Sequence, residues 1–306
     1  MQHDIQIVEV GPRDGLQNES VTLSTDDKLA LIDNLTDSGV SRIEAVSFAH
    51  PKYVPQLADA ESVMDRLDKR HGVSYIGLVM NWRGWVRAVD TGIDEVNVPL
   101  FASNTFNIKN QGAPTSETVD VVAAIAHDAH KHGISVTATV GTAWGGPFEG
   151  EVPLDLLLET VASVAVTGID ELAIADTIGV ADQWSVTKRL KGVRDVVPEM
   201  PLRVHFHDTR NTGLGNTYAA IQAGVTTIDA SVGGIGGCPF APDATGNIPT
   251  DDIVYMLNRA GLSHGISLAS LIDVSGELEL LLDRRLPAML PAAGDFPPSS
   301  QEDRSS

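Results

Sequence analysis

The chain has 306 residues, of which 42% are hydrophobic and 28 are glycine, so it is long enough to bury one large core. Its formal net charge of −20 disfavours the basic patches that nucleic acids and anionic membranes bind, and we expect neither as a partner. There is no apolar run of the roughly eighteen residues that span a bilayer and no basic-then-apolar export signal, and a single cysteine suits a reducing compartment. We therefore expect a cytoplasmic protein.

Short β-rich runs alternate with amphipathic stretches along the chain, a pattern typical of parallel βα units. The predicted strands are residues 5–10, 42–48, 74–80, 95–101, 135–142, 171–177, 203–209 and 226–232. The helix predicted over 25–38 shows the expected signals, with Asp26 and Asp27 in its first turn and Gly39 after its end. Eight such units predict a TIM (β/α)8 barrel.

Two extra helices are predicted after the eighth strand, over residues 250–259 and 268–285. The last residues are rich in proline, serine and charge, and few of them are apolar. We therefore expect a single barrel domain over residues 1–286, followed by a disordered tail over 287–306.

Several polar residues fall at the carboxyl ends of predicted strands, where the active sites of such barrels are built. His205 and His207 are two positions apart on the seventh strand, so both imidazoles point to one face. Asp14 and Asn247 would add oxygen ligands, and two nitrogens with two oxygens suit Mg²⁺ or Mn²⁺ better than zinc. A His-x-His pair standing alone is more often a buried structural pair, so the metal interpretation depends on these neighbours.

Other candidate residues each have a structural alternative. Arg13 either forms a buried ion pair or stabilises a developing enolate oxygen with its fixed guanidinium donors. Glu44 is a catalytic candidate or a support that orients Arg13, and Asp176 is a catalytic candidate or a helix cap. The candidates for contacts with an anionic substrate are Gln17, Ser47, Lys52 and Arg210, with Gln17 alternatively a polar loop residue.

The only cysteine, Cys238, lies in a loop with four glycines in the five preceding positions. Glycines let a backbone approach a ligand closely, whereas a structural free cysteine usually lies in an apolar helix or strand. The loop therefore favours a catalytic thiol, and the alternative is a residue that merely fills a turn.

These motifs resemble the 3-hydroxy-3-methylglutaryl-CoA lyase family, within the superfamily of metal-dependent lyase and Claisen-condensing TIM barrels. The resemblance covers about residues 5 to 285 and is carried by segments 8–19, 43–48, 51–56, 175–179, 205–209 and 231–247. The Arg-Asp and His-x-His elements are shared across the superfamily, whereas Gly-Gly-Cys-Pro is specific to the lyase branch.

The resemblance implies that Asp14, His205, His207 and Asn247 bind a divalent cation, Mg²⁺ or Mn²⁺. It also implies that Arg13 stabilises the enolate and that Cys238 transfers a proton, with His205 or Asp14 as the base. The expected substrate is an acyl-CoA thioester, 3-hydroxy-3-methylglutaryl-CoA, cleaved to acetyl-CoA and acetoacetate by a homodimeric oxo-acid lyase.

Thr139 stands where the family often has an aromatic residue, and Asp243 where it has a small one. A smaller group at position 139 would leave room for a longer branch on the substrate, so a lyase for a larger-branched 3-hydroxyacyl-CoA is the nearest alternative. A condensing synthase of the 2-isopropylmalate type is less favoured, because it would need a further C-terminal domain. A catalytically silent interaction barrel is least favoured, because no candidate functional residue is missing.

Overall fold

The computed structural model describes residues 4–238 and 241–297, with the backbone alone for 238 and 241–245. Eight parallel strands close into a barrel in which each strand pairs with its neighbours in the chain and the eighth pairs with the first. They are β1 Gln6–Glu9, β2 Arg42–Ser47, β3 Ser74–Leu78, β4 Glu95–Phe101, β5 Ser135–Gly141, β6 Glu171–Asp176, β7 Leu202–Phe206 and β8 Thr227–Ala230. The predicted TIM barrel is confirmed.

Helices cover the outside of the barrel and pack on the outward faces of the strands. They are α1 Thr25–Asp37, α2 Ala60–Arg66, α3 Trp82–Ala88, α4 Asn104–Gln111, α5 Thr115–Lys131, α6 Leu154–Ala165, α7 Gln183–Val196, α8 Gly213–Gln222, α9 Thr250–Ala260, α10 Leu268–Leu282 and α11 Leu290–Ala293. None of the helices in the described part of the chain is long and apolar enough to cross a membrane.

Two of the predicted C-terminal boundaries were wrong. Helix α10 ends at Leu282 rather than at residue 285, because Asp283 adopts the left-handed conformation with φ of 49°. The predicted disordered tail contains α11, and the Asp252 carboxylate accepts the backbone N–H groups of Met289 and Leu290. Residues 287–297 are therefore ordered against α9, and residues 298–306 lie outside the described residues.

The barrel interior contains several charged side chains beside a small separate apolar cluster of Val8, Val10 and Ile76. In most such barrels the interior layers are branched apolar residues. Here the charges must instead be paired with one another, since burying an unpaired charge is costly.

Glu9, at the end of β1, joins three parts of this structure. Its fully buried carboxylate accepts hydrogen bonds from the backbone N–H groups of Gly11 at 2.8 Å and Val232 at 2.9 Å, and from the Thr250 hydroxyl at 2.6 Å. Burial raises the pKa of Glu9 to about 7, although these hydrogen bonds oppose the shift. At neutral pH the group therefore titrates within the folded protein.

We expect Glu9→Gln to flatten the dependence of stability on pH. Between the unfolded pKa of 4.5 and the folded pKa of about 7, the folded state binds more protons, so the free energy of unfolding falls as the pH rises. The loss attributable to Glu9 reaches about 3 kcal/mol, and glutamine cannot ionise. Urea unfolding at pH 5 and pH 8 measures the difference.

The exposed Glu159, replaced by Gln, is the matched control. Burial also raises the pKa of Asp251, to about 6. Asp251 is present in every variant, and because its charge also raises the pKa of Glu9, the difference between the variants includes this coupling. An unchanged pH dependence in Glu9→Gln would contradict the assignment.

Candidate active site

The chain makes a wide helical turn over Gly11–Gly15 directly after β1. The Val10 carbonyl accepts N–H groups from Arg13 at 3.2 Å, Asp14 at 2.7 Å and Gly15 at 3.1 Å. A Cβ on Gly15 would lie 2.6 Å from Ile235 Cγ1, so a side chain there would force the turn and the loop after β8 apart. The turn places Arg13 and Asp14 together over the open end of the barrel.

Arg13 is held by carboxylates on two sides. Glu44 Oε2, on β2, accepts from Arg13 Nε at 2.7 Å and Nη2 at 2.6 Å, while Asp14 Oδ1 accepts from Nη1 at 2.6 Å. The other oxygen of Glu44 accepts from Asn97 Nδ2 at 2.8 Å, and Thr139 donates to Asn97 Oδ1 at 2.7 Å. The guanidinium is therefore fixed in orientation through partners on β2, β4 and β5.

Asp14, His205 and His207 form a cluster with ligand atoms all within 4.8 Å of one another. The two imidazole centroids are 5.1 Å apart, and His205 Nε2 lies 4.0 Å from Asp14 Oδ2. Asn247 joins the cluster, because its Nδ2 donates to Asp14 Oδ2 at 3.0 Å and its backbone bridges to that of His207. The four residues predicted as metal ligands are thus brought together.

Two atoms of this cluster are buried without a hydrogen-bond partner among the described residues, namely His207 Nδ1 and Asn247 Oδ1. Buried polar atoms are nearly always paired, so unpaired ligand-type atoms on two residues of this cluster are consistent with an ion site. Two imidazoles, a carboxylate and an amide oxygen form a donor set that fits a divalent cation.

The ionisation of Asp14 and His207 suits metal binding, whereas, despite burial, the carboxylates of Asp229 and Asp14 raise the pKa of His205. Burial raises the pKa of Asp14, but the charge of Arg13 and the two nearby imidazoles outweigh it and hold the pKa well below its usual range. Burial, reinforced by the neighbouring His205, lowers the pKa of His207 to about 3. At neutral pH Asp14 is therefore ionised and His207 neutral, which are the forms that bind metal ions.

Beneath the cluster, the buried charges continue down the barrel. His205 Nδ1 lies 3.2 Å from Asp229 Oδ2 on β8, and Asp229 Oδ1 lies 3.3 Å from Arg203 Nε. Arg42 forms ion pairs with Glu95 at 2.7 Å and Glu171 at 2.6 Å. The same two glutamates lie 3.6 and 3.7 Å from Arg203, so both arginines share the same carboxylates.

Sequence reasoning missed this lower part of the site, which consists of Arg42, Glu95, Asn97, Glu171, Arg203 and Asp229. The sequence did contain a signal for these residues. Alternate residues of a strand point to the same face, which is the rule that placed His205 and His207 together. Arg203 precedes His205 by two positions, as Arg42 precedes Glu44 and Glu95 precedes Asn97. Charged residues on the inward face of a strand therefore indicated a polar barrel interior.

Asp176 lies buried at the end of β6, but its carboxylate accepts the backbone N–H groups of Val180 at 3.0 Å and Ala181 at 2.8 Å. Burial raises its pKa despite these bonds. The cap of the following helix α7 is Asp182, so the helix-cap alternative for Asp176 was wrong. Asp176 instead closes the turn that precedes that cap.

The four residues predicted to contact the substrate are not part of the Asp14–His205–His207 cluster. Arg210 donates to the carbonyls of Ile178 and Gly179 at 2.9 and 2.8 Å, and Ser47 Oγ accepts the N–H of Ala49. Lys52 is exposed and Gln17 half-buried. No hydrogen bond or ion pair found in the described part of the chain links any of these four to the Asp14–His205–His207 cluster.

The loop of Cys238 approaches the site through its backbone. Gly237–Cys238 pairs antiparallel with Ala241–Thr245, and Asn18 Nδ2 donates to the Gly237 carbonyl at 3.3 Å. A Cβ on Gly236 would lie 2.7 Å from Asn247 Nδ2, so the loop passes directly over that amide. The side chains of Cys238 and Asp243 lie outside the described residues.

A (β/α)8 barrel with an imidazole and carboxylate cluster at its catalytic end defines a class of barrel enzymes with a candidate divalent-cation site. Comparison with known proteins shows to which family of such barrel proteins the chain belongs. The HMGL-like family model matches residues 4–277, and the chain belongs to that family.

The similar proteins that follow are all named as hydroxymethylglutaryl-CoA lyases. A hydroxymethylglutaryl-CoA lyase of Bacillus subtilis is 40% identical over 284 residues, covering 93% of this chain and 95% of the relative. A B. subtilis HMG-CoA lyase crystal structure superposes with a TM-score of 0.91 at 40% identity, covering 94% of this chain and 97% of that one. An HMG-CoA lyase from Acinetobacter baumannii in complex with coenzyme A and 3-methylmalate gives 0.92 at 37% identity, covering 97% of each chain.

We expect His207→Ala to weaken Mn²⁺ binding by about ten-fold or more, because one of the two imidazoles of the cluster is lost. Folding should survive, since the substitution removes a buried atom that has no hydrogen-bond partner in the described residues. Titration calorimetry with MnCl2 measures the change. The exposed His130, which contacts only Asp170 among the described ion pairs, provides the control variant His130→Ala. Unchanged Mn²⁺ affinity in His207→Ala would remove His207 from the site.

Proposed function

We propose that this chain cleaves 3-hydroxy-3-methylglutaryl-CoA to acetyl-CoA and acetoacetate by a divalent-metal-assisted retro-Claisen reaction. The observation that carries the proposal is the cluster of Asp14, His205 and His207 beside a guanidinium held rigidly by Glu44. The likeness to named hydroxymethylglutaryl-CoA lyases over more than nine-tenths of the chain supports the same reaction.

Asp14, His205, His207 and Asn247 would hold Mg²⁺ or Mn²⁺. When bound, such a cation makes a nearby hydroxyl more acidic and polarises an oxygen of the substrate. The low pKa of Asp14 keeps its carboxylate available over the whole neutral range. The neutral form of His207 leaves its lone pair free for the ion.

The protein's own groups then move the protons and stabilise charge. Asp14, or His205 if it does not bind the ion, takes the proton from the C3 hydroxyl, the C2–C3 bond breaks, and its electron pair moves to C2 to give the acetyl-CoA enolate. C3 becomes the ketone of acetoacetate. Arg13, fixed by Glu44, donates to the enolate oxygen from a pre-organised position, which avoids reorganisation as charge develops.

Cys238 donates the proton that converts the enolate carbon to the methyl group of acetyl-CoA. Asp176 supports catalysis by closing the turn after β6, to which Arg210 is also bonded. Lys52 and Arg210 offer cations, and Gln17 and Ser47 polar groups, to the acyl-CoA substrate. We further propose that the barrel and the helices packed on it, including α11, form one catalytic domain, that the protein is a homodimer and that it is cytoplasmic.

The function is tested by incubating the purified chain with Mg²⁺ and 3-hydroxy-3-methylglutaryl-CoA. We expect acetyl-CoA and acetoacetate in equal amounts, and no products after treatment with a chelator. A second candidate, a lyase for larger-branched 3-hydroxyacyl-CoA thioesters, is favoured by Thr139, whose short half-buried side chain bonds to Asn97 beside Glu44. A larger kcat/KM for a longer-branched thioester would establish that candidate, and no turnover of any thioester would refute both.

We expect Cys238→Ser to lower kcat by about a hundred-fold or more, because a hydroxyl is a much weaker acid than a thiol at a positioned proton-donor site. Mn²⁺ affinity should hardly change. Since the chain has one cysteine, iodoacetamide reports on this thiol alone, and we expect alkylation without substrate and protection by a non-cleavable substrate analogue. Full activity of the serine variant would exclude the proton-donor role, and a loss of stability without a loss of kcat would indicate a packing role.

A further inference from the structure

Asp229 lies on β8 below the metal-ligand cluster and contacts one of its histidines. It is 4% exposed, and its Oδ2 lies 3.2 Å from Nδ1 of His205. On the opposite edge of the ring, Nε2 of His205 faces Asp14 Oδ2 at 4.0 Å. An ionised carboxylate can only accept a hydrogen bond, so in the neutral imidazole this contact places the proton on Nδ1 and leaves the lone pair of Nε2 directed at the cluster.

Arg203 keeps this carboxylate ionised and in place. Its side chain is 1% exposed, and its Nε lies 3.3 Å from Asp229 Oδ1, the oxygen that does not face His205. Arg203 is itself held from the other side by Glu95 at 3.6 Å and Glu171 at 3.7 Å. Asp229 thus lies between a guanidinium, with which Oδ1 forms an ion pair, and an imidazole, to which Oδ2 is hydrogen-bonded.

The charge of the interior agrees with a neutral His205 once an ion is bound. The buried network consists of the carboxylates of Asp14, Glu44, Glu95, Glu171 and Asp229 and the guanidiniums of Arg13, Arg42 and Arg203. The carboxylates exceed the guanidiniums by two. A divalent cation with both imidazoles neutral balances that excess, and balanced charge is what a buried network requires.

We propose that Asp229 is a positioning residue for the cation site: by accepting the Nδ1–H of His205 it presents Nε2 to the ion, and Arg203 holds Asp229 in the geometry to do so. The arrangement is a carboxylate–histidine–metal relay in which the carboxylate sets the tautomer and the direction of the ligand. The inference rests on the metal site of the proposed function, and it adds a residue that no sequence motif of the chain singles out.

The test compares Asp229→Asn with Glu171→Gln. Both remove one buried negative charge from the same network and both keep the side-chain shape, but Glu171 contacts Arg42, Arg203 and Thr137 and neither histidine. We expect Asp229→Asn to weaken Mn²⁺ binding in titration calorimetry by ten-fold to a hundred-fold, the usual effect of disturbing such a partner. We expect Glu171→Gln to change it by less than about three-fold, because it alters the charge without freeing the ring.

A spectroscopic measurement reads the tautomer of His205 in the wild-type protein itself. In Mg²⁺-loaded wild-type protein labelled with ¹⁵N-histidine, we expect the His205 proton on Nδ1, with the resonance assigned by its loss in His205→Gln. In Asp229→Asn this single tautomer should be lost, since an amide can accept or donate.

A wild-type His205 protonated on Nε2, or equal losses of Mn²⁺ affinity in Asp229→Asn and Glu171→Gln, would overturn the role of Asp229 and leave the metal site standing. A wild-type protein that binds neither Mn²⁺ nor Mg²⁺ would instead refute the metal site, and with it this inference.

Discussion

The requirement that buried charges be paired governs this barrel. Five strands direct Arg42, Glu95, Glu171, Arg203 and Asp229 into its interior, and each of them lies within 4 Å of an opposite charge. Removing one partner of such a set leaves an uncompensated buried charge, which costs about 3 to 5 kcal/mol. This cost constrains how the five side chains can be arranged beneath the groups at the catalytic end.

Two chains of contacts rise from the interior and meet at Asp14 and His205. One runs from Thr139 through Asn97 and Glu44 to Arg13 and Asp14, and the other from Arg203 through Asp229 to His205. Arg13 and His205 are thus each oriented by a residue on another strand. Such support shells hold reacting groups within the small tolerances that chemistry needs.

The fold by itself does not define the chemistry, because the same barrel carries many unrelated activities. The argument for a lyase depends on the cluster, on the fixed guanidinium beside it and on the family to which the chain belongs. Thr139 begins the first of these two chains of contacts, because its hydroxyl donates a hydrogen bond to Asn97. Thr139, one of the two residues that depart from the family pattern, is therefore connected to Arg13 through Asn97 and Glu44.

The sequence alone determined the alternation of strands and helices, because hydrophobic period and glycine caps are local signals. It also placed Asp14, His205 and His207 at strand ends, because closure of eight parallel strands brings those ends together. The tertiary structure decided the ion pairs below them. Arg42 and Glu171 are 129 residues apart and meet only across the closed barrel, and Asp229 finds His205 on the neighbouring strand through the strand register. Local patterns carry no information about which charges face each other across an interior. For the same reason, the order of residues 287–297 depended on a contact with Asp252 in α9, which the polar composition of the segment did not reveal.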